Sequence, residues 1–240
     1  MTHSLEGKTV LVAGGASGMG LAVARLSLEA GAQVHLVGRN IERLALATRL
    51  LGPDRVQAHV ADIANESDVR RLAYTVDSLD HVVTTAAQLA FKPFLELSDA
   101  DIHAVMGAKF WGVIYLVRHL APRMSRGGSF TLFSGSAAYK ASAGASVVAA
   151  ANASLDGLAR TLAVELANIR VNVVSPGVVD SPTWDFLPEP ARAATLASIG
   201  STLPVGRVGT TDELARAALF AMSNGFMTGT VLQLDGGLNA

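Results

Sequence analysis

Two kinds of apolar patterning alternate along this chain from one end to the other. The first is a short, nearly continuous apolar run: Val10–Ala13, Gln33–Val37, Val56–Val60, His81–Thr84, Ser129–Phe133, Arg170–Val174 and Thr230–Leu234. Each run is four or five residues long and most are followed by Gly, Asp, Thr or Ser, so they predict strands buried on both faces. The second is a helical spacing of apolar positions. It begins with Leu21, Val23, Ala24, Leu26 and Leu28, stopped by Gly31, and continues with Ile41–Leu51 behind Asn40 as cap. Further helices are predicted at about Glu66–Thr75, from Asp99 to about Arg123, at about Ala143–Leu166 and over Thr211–Met222, where Asp212 and Glu213 fill the first turn.

Strand–helix alternation of this kind predicts an α/β fold: one doubly wound parallel sheet, Rossmann-like, with helices on both faces and a single domain over residues 1–240. Pro182, Pro188, Pro190 and Pro204 break the rhythm once, over residues 181–204. This excursion follows a strand end, where loops line the ligand crevice, so it reads as a substrate-covering flap with a short helix inside. Its Trp184, Phe186 and Leu187 either cover an apolar substrate or pack as core or interface.

Composition narrows the picture. With 50% hydrophobic and 16% charged residues, the chain predicts a large core and further surface buried between subunits. A net charge of −1 excludes the basic face of a nucleic-acid binder. The lack of cysteine excludes disulfides, thiolate nucleophiles and Cys-held metals. The six histidines are scattered, so no metal site is expected. The segment MTHSLEGKT carries no apolar leader, and no uninterrupted apolar stretch is long enough for a bilayer; the expectation is a cytoplasmic protein with no membrane partner.

The candidate chemistry starts at VLVAGGASGMG, Val10–Gly20. A strand, a glycine turn and a helix start place free backbone N–H groups and the positive dipole end where a dinucleotide pyrophosphate binds. Gly14 permits the turn, Gly18 allows close approach, and Gly20 lets helix and strand pack, with Ala16, Ser17 and Met19 between them. The spacing G-x-x-x-G-x-G resembles the short-chain dehydrogenase/reductase family, with Ala13 where that family usually has Thr. The resemblance runs along essentially the whole chain. Asp62-Ile63 matches its adenine-contacting pair, and Thr84-Thr85-Ala86-Ala87 stands where it has N-N-A-G. Pro176-Gly177, with Val179 and then Ser181, matches P-G-x-x-x-T, and Ser181 keeps the hydroxyl that would bond the nicotinamide carboxamide. Leu234-Asp235-Gly236-Gly237 matches the C-terminal signature, though Asp235 itself reads as a turn former. At the end of the second strand stands Gly38-Arg39-Asn40, with no carboxylate before Glu42. A guanidinium there suits the 2′-phosphate, so the expected cofactor is NADP(H).

The family's proton relay, a Tyr, a Lys four residues on, a Ser and an Asn, is rewritten. Aligned on A-N-A-S-L-D-G-L-A-R-T-L-A-V-E-L, Val148 falls at the Tyr and Asn152 at the Lys. Phe133-Ser134-Gly135 puts Gly135 at the Ser, and Lys109-Phe110-Trp111-Gly112 puts Lys109 at the Asn. Lys109 and Asn152 thus look exchanged, which implies an ammonium still near the nicotinamide ribose; the alternative is a lysine reaching the surface. The loop SGSAAYKAS offers Ser134, Ser136 and Tyr139, the last as a substitute acid or as a ring on the rim. Three readings follow. The chain is an NADP(H)-dependent oxidoreductase of small-molecule carbonyls or alcohols with a relay of Lys109, Ser134, Ser136, Tyr139 and Asn152. Or it is an NADP(H)-binding sensor or partner subunit without hydride transfer. Or it is a non-redox isomerase or cyclase. The resemblance also implies a homodimer or homotetramer through the two long helices.

Overall fold

The computed structural model describes residues 4–240. Seven parallel strands form its sheet, in the order β3-β2-β1-β4-β5-β6-β9. They are β1 (Thr9–Ala13), β2 (Gln33–Gly38), β3 (Val56–Val60), β4 (Leu79–Thr84), β5 (Met124–Phe133), β6 (Arg170–Pro176) and β9 (Val231–Leu234). The period-two alternation of a strand divides the core between two layers. Val10 and Val12 of β1 pack with α1 (Gly18–Glu29) and α8 (Thr211–Ser223), whereas Leu11 and Ala13 join the opposite layer. That layer is built by α3 (Glu66–Thr75), α5 (Gly112–Leu120) and α6 (Ser146–Glu165), through Val69, Leu116 and Leu155. Strand order reverses between β1 and β4, which pair in parallel from Val10↔His81 to Ala13↔Thr84. The crevice outside their carboxyl ends is the switch point where such sheets take ligands.

Several boundaries differ from the expectation, each for a local reason. The predicted helix from Asp99 to about Arg123 is three pieces: α4 (Asp99–Met106), a π-helical turn over Gly107–Trp111, and α5, followed by a 3₁₀ turn. By length and composition the whole run could cross a membrane, although Lys109 interrupts its apolar stretch. It lies instead against the sheet layer, with Val113, Leu116, Val117 and Leu120 buried. The long sixth helix starts at Ser146 rather than about Ala143, after the left-handed Gly144. The excursion is more ordered than its prolines suggested. Pro188 and Pro190 stand at the start of a 14-residue helix, α7 (Glu189–Thr202), where proline's missing N–H does no harm. A two-residue parallel pairing, β7 (Val179–Asp180) with β8 (Gly209–Thr210), ties its two ends together. α2 (Ile41–Leu51) forms with the predicted limits, capped by Asn40.

Candidate active site

The glycine turn closes β1 against β4. Gly14 is left-handed (φ 85°), and a Cβ on it would lie 2.7 Å from Thr85 Oγ1. One on Gly20 would lie 2.1 Å from the Gly14 carbonyl oxygen and 2.6 Å from the same hydroxyl. Thr85 therefore fills the space the missing side chains leave, and its Oγ1 donates toward the Ala13 and Gly14 carbonyls (3.3 and 3.4 Å). Ser17 precedes α1 in extended conformation and makes no side-chain cap, so the first N–H groups of α1 face the crevice mouth without an internal acceptor. Ala16 and Met19 pack on the α1-side core. Ala86 supports the opposite layer, and Ala87 is exposed at the crevice edge. This cradle, which any Cβ would obstruct, fits a pyrophosphate.

At the β2 end, Arg39 reaches across the strand ends. Its Nη1 lies 3.9 Å from Asp62 Oδ2. The Gln88 side-chain oxygen accepts from Nη1 and Nη2 at 2.6 and 2.9 Å. The Asn40 carboxamide oxygen is occupied in capping, accepting from Arg43 N at 2.8 Å, so its expected cofactor contact is left to the other side-chain atoms. Ile63 faces inward. It is 5% exposed and its side chain is part of the core, so close to Gly112 that a Cβ there would sit 2.8 Å away.

On the other side of the crevice, Gly177 donates its N–H to the Leu234 carbonyl at 2.9 Å, and a Cβ on it would lie 2.6 Å from Asp235 Cα. Asp235 holds the following turn through Gly237 N and Asn239, the expected role. Pro176, Val179 and Ser181 are buried along this edge. The next residue, Pro182, is the neighbour of Gly18, 3.3 Å from the position of a Cβ there, so the excursion begins against the glycine turn.

Lys109, Ser134, Gly135 and Asn152 meet around the end of β5. The π turn carries Lys109 into the interior, 6% exposed, where Nζ donates to the Phe133 carbonyl oxygen at 2.9 Å. The lysine does not reach the surface. Among the described residues no carboxylate pairs with it, and burial lowers its pKa from 10.5 to about 8. Ser134 and Asn152 are also buried, and Ser134 Oγ and Asn152 Oδ1 have no hydrogen-bond partner among the described residues. A Cβ on Gly135 would lie 2.9 Å from Asn152 Nδ2, so this asparagine fits beside a glycine and crowds a serine. Val148 sits in a small apolar cluster with Val105 and Ala151. Ser136 starts a 3₁₀ turn, and its carbonyl accepts from Tyr139 N and Lys140 N. Tyr139 is committed elsewhere: its hydroxyl donates to Asp156, one helical turn beyond Asn152. Burial, then the Asp156 carboxylate, pushes the phenol up to about 12, with Gln233 and Ser175 countering in part.

The structure brings Lys109, Ser134 and Asn152 together around the end of β5, and two contributors have no counterpart among the expected site residues. Thr85 is an expected cofactor contact, here also the filler between the glycines. Gln88 had no signal beyond its place after Ala87. Asp156 was hidden in a well-matched helix, though a buried acid spaced four residues after Asn152 marks the same helix face.

Comparison with known proteins agrees with this geometry. Residues 14–239 match the family described as enoyl-(acyl carrier protein) reductase. The chain is 32% identical to the 3-oxoacyl-[acyl-carrier-protein] reductase FabG of Thermotoga maritima over 247 residues, covering 98% of each. It is similar to a solved small-chain dehydrogenase in complex with NADPH (TM-score 0.84, 32% identity, 97% of this chain and 98% of that one). It is also similar to the MalC reductase/Diels-Alderase of Malbranchea aurantiaca (TM-score 0.89, 32% identity, 97% and 96%). The sheet order, the glycine cradle at the β1–β4 switch and these full-length likenesses together make the chain a member of the short-chain dehydrogenase/reductase family.

Proposed function

We propose that this chain is an NADP(H)-dependent oxidoreductase that interconverts a small carbonyl compound and its alcohol, with Lys109 in place of the family's tyrosine acid. The observation that carries this is a buried ammonium held at the Phe133 carbonyl, the residue before Ser134, with no carboxylate partner among the described residues and a pKa brought down to about 8. A group so tuned holds a proton at neutral pH and releases it readily. The cofactor, when bound, supplies the hydride. The cradle of Gly14, Gly18 and Gly20 takes its pyrophosphate, Arg39 its 2′-phosphate and Ser181 its carboxamide. The NADPH held by the similar small-chain dehydrogenase supports this choice. Phe133 O fixes the amine, leaving two N–H donors on Nζ for a substrate oxygen. Ser134 Oγ and Asn152 Oδ1 complete the polar end, and the solvent returns the proton. Tyr139 and Ser136 act by shaping the loop above it. The open groove of about 700 Å³ between α5 and α6, lined by Ile114, Leu158 and Leu162, supports association of copies along these helices.

NADPH fluorescence titration together with a broad carbonyl panel followed by absorbance tests the reading. Reduction should occur, fall as pH rises through about 8, and vanish in Lys109→Met while NADPH binding persists. A second reading rests on Val148, which puts an apolar side chain where the acid is expected. On that reading NADPH binds and nothing in the panel turns over. Conversion of substrate without NADPH consumption would instead point to the non-redox class that the reductase/Diels-Alderase relative joins in its name.

A further inference from the structure

We propose that Gln88 is a positioning residue for cofactor selection: it holds the Arg39 guanidinium so that one two-donor edge stays open to the 2′-phosphate of NADP(H). The inference rests on the cofactor reading above. Arg39 follows the last residue of β2, Gln88 stands in the segment after β4, and their contact bridges the strand ends on either side of β1. Left alone, an arginine side chain 57% exposed samples many rotamers, and ordering it on a ligand costs affinity. Gln88 removes much of that freedom in advance. One oxygen accepts from both Nη atoms, at 2.6 and 2.9 Å, which fixes the plane of the guanidinium.

The accounting of donors shows what remains. A guanidinium has five N–H groups. Two go to Gln88, and a further one on Nη1 faces Asp62 at 3.9 Å. Among the described residues, none accepts from Nε. The Nε–H and the second Nη2–H lie on one edge, the fork that matches two oxygens of a phosphate. Asp62 is the competitor. It is an exposed carboxylate whose Oδ1 is already held by Ala64 N at 3.0 Å, and by charge alone it would draw the guanidinium onto itself. A neutral carboxamide on the far side holds Arg39 off that carboxylate without adding negative charge. A glutamate in the same place would hold it as well and repel the phosphate.

The test is equilibrium fluorescence titration with NADPH and NADH on the full chain, with melting temperature as a folding control. Gln88→Leu should weaken NADPH about five- to tenfold and NADH less than about twofold, the loss expected for one half-exposed hydrogen-bond partner. Gln88→Glu should weaken NADPH by more than about tenfold with NADH again spared. Because Gln88 acts through Arg39, the double variant Arg39→Ala/Gln88→Leu should bind NADPH no more weakly than Arg39→Ala alone. Wild-type NADPH affinity in Gln88→Leu, alongside a selective loss in Arg39→Ala, overturns this inference and leaves the cofactor reading standing. Equal losses for both cofactors in Gln88→Leu overturn it as merely structural. Equal losses in Arg39→Ala overturn both.

Discussion

Lys109→Met should make the protein more stable while removing its proposed chemistry. The charged amine is 6% exposed and, among the described residues, its only acceptor is the Phe133 carbonyl. A fall of its pKa from 10.5 to about 8 means that the folded state disfavours the charged form by about 3 kcal/mol. Because the folded value is the lower one, the unfolded chain binds more protons between the two. The penalty is complete below about pH 8 and fades as pH rises toward 10.5. Methionine fills a similar volume without charge, but it leaves the Phe133 oxygen without a donor, at about 1–2 kcal/mol. The net expectation at pH 7 is a gain of about 1–2 kcal/mol, or about 2–8 °C in melting temperature for a domain of this size. Urea unfolding at pH 7 and pH 10, followed by circular dichroism, reads both the gain and its loss at high pH. A variant less stable than the parent at pH 7, or an advantage of equal size at both pH values, would refute the placement of a strained, buried charge.

Three further outcomes follow from named contacts. Gly20→Ala puts a Cβ 2.1 Å from the Gly14 carbonyl oxygen; it should destabilise the fold by about 2 kcal/mol and abolish detectable NADPH binding, and a well-folded variant with parental affinity would contradict the cradle. Tyr139→Phe leaves Asp156 without its donor; it should cost about 1–3 kcal/mol of stability and leave turnover within about twofold, whereas loss of turnover would return the phenol to the relay. His35 and His81 are held neutral by burial, with pKa values lowered from 6.5 to about 4. Stability should therefore be whole above pH 6.5 and fall between 6.5 and about 4, by up to about 3 kcal/mol for each histidine. A flat urea midpoint across that window would disprove it.

The fold was legible because burial on both faces writes itself as continuous apolar runs in the five inner strands, while the edge strands β3 and β9 lie where apolar runs fall but are mostly exposed or half-buried. The glycine turn was legible because positive φ and close approach leave few residue types to choose from. The π turn was not. Gly107–Trp111 has ordinary helical composition, and one extra residue per turn leaves no compositional mark. The fate of Lys109 was equally hidden: a single lysine in an apolar helix reads alike whether it turns outward or inward, and the register of the turn decides. Gln88 and Asp156 were missed because their partners, Arg39 and Tyr139, are distant in sequence and meet only through the sheet order. The proline-rich excursion misled in the opposite direction, since prolines at a helix start resemble those of an irregular loop.

The π turn also gives the chain a place where its length matters. Deleting one residue from Gly107–Trp111 would tighten the wide turn to an ordinary helix, while the flanks, which the turn holds in register, keep about their present facing. The downstream flank is pinned, because a Cβ on Gly112 would lie 2.8 Å from Ile63. The change would therefore fall on the turn itself, where Lys109 is held against the Phe133 carbonyl oxygen. A single-codon deletion in this helix would thus redirect the buried amine while the dinucleotide cradle stayed as it is on β1 and β4.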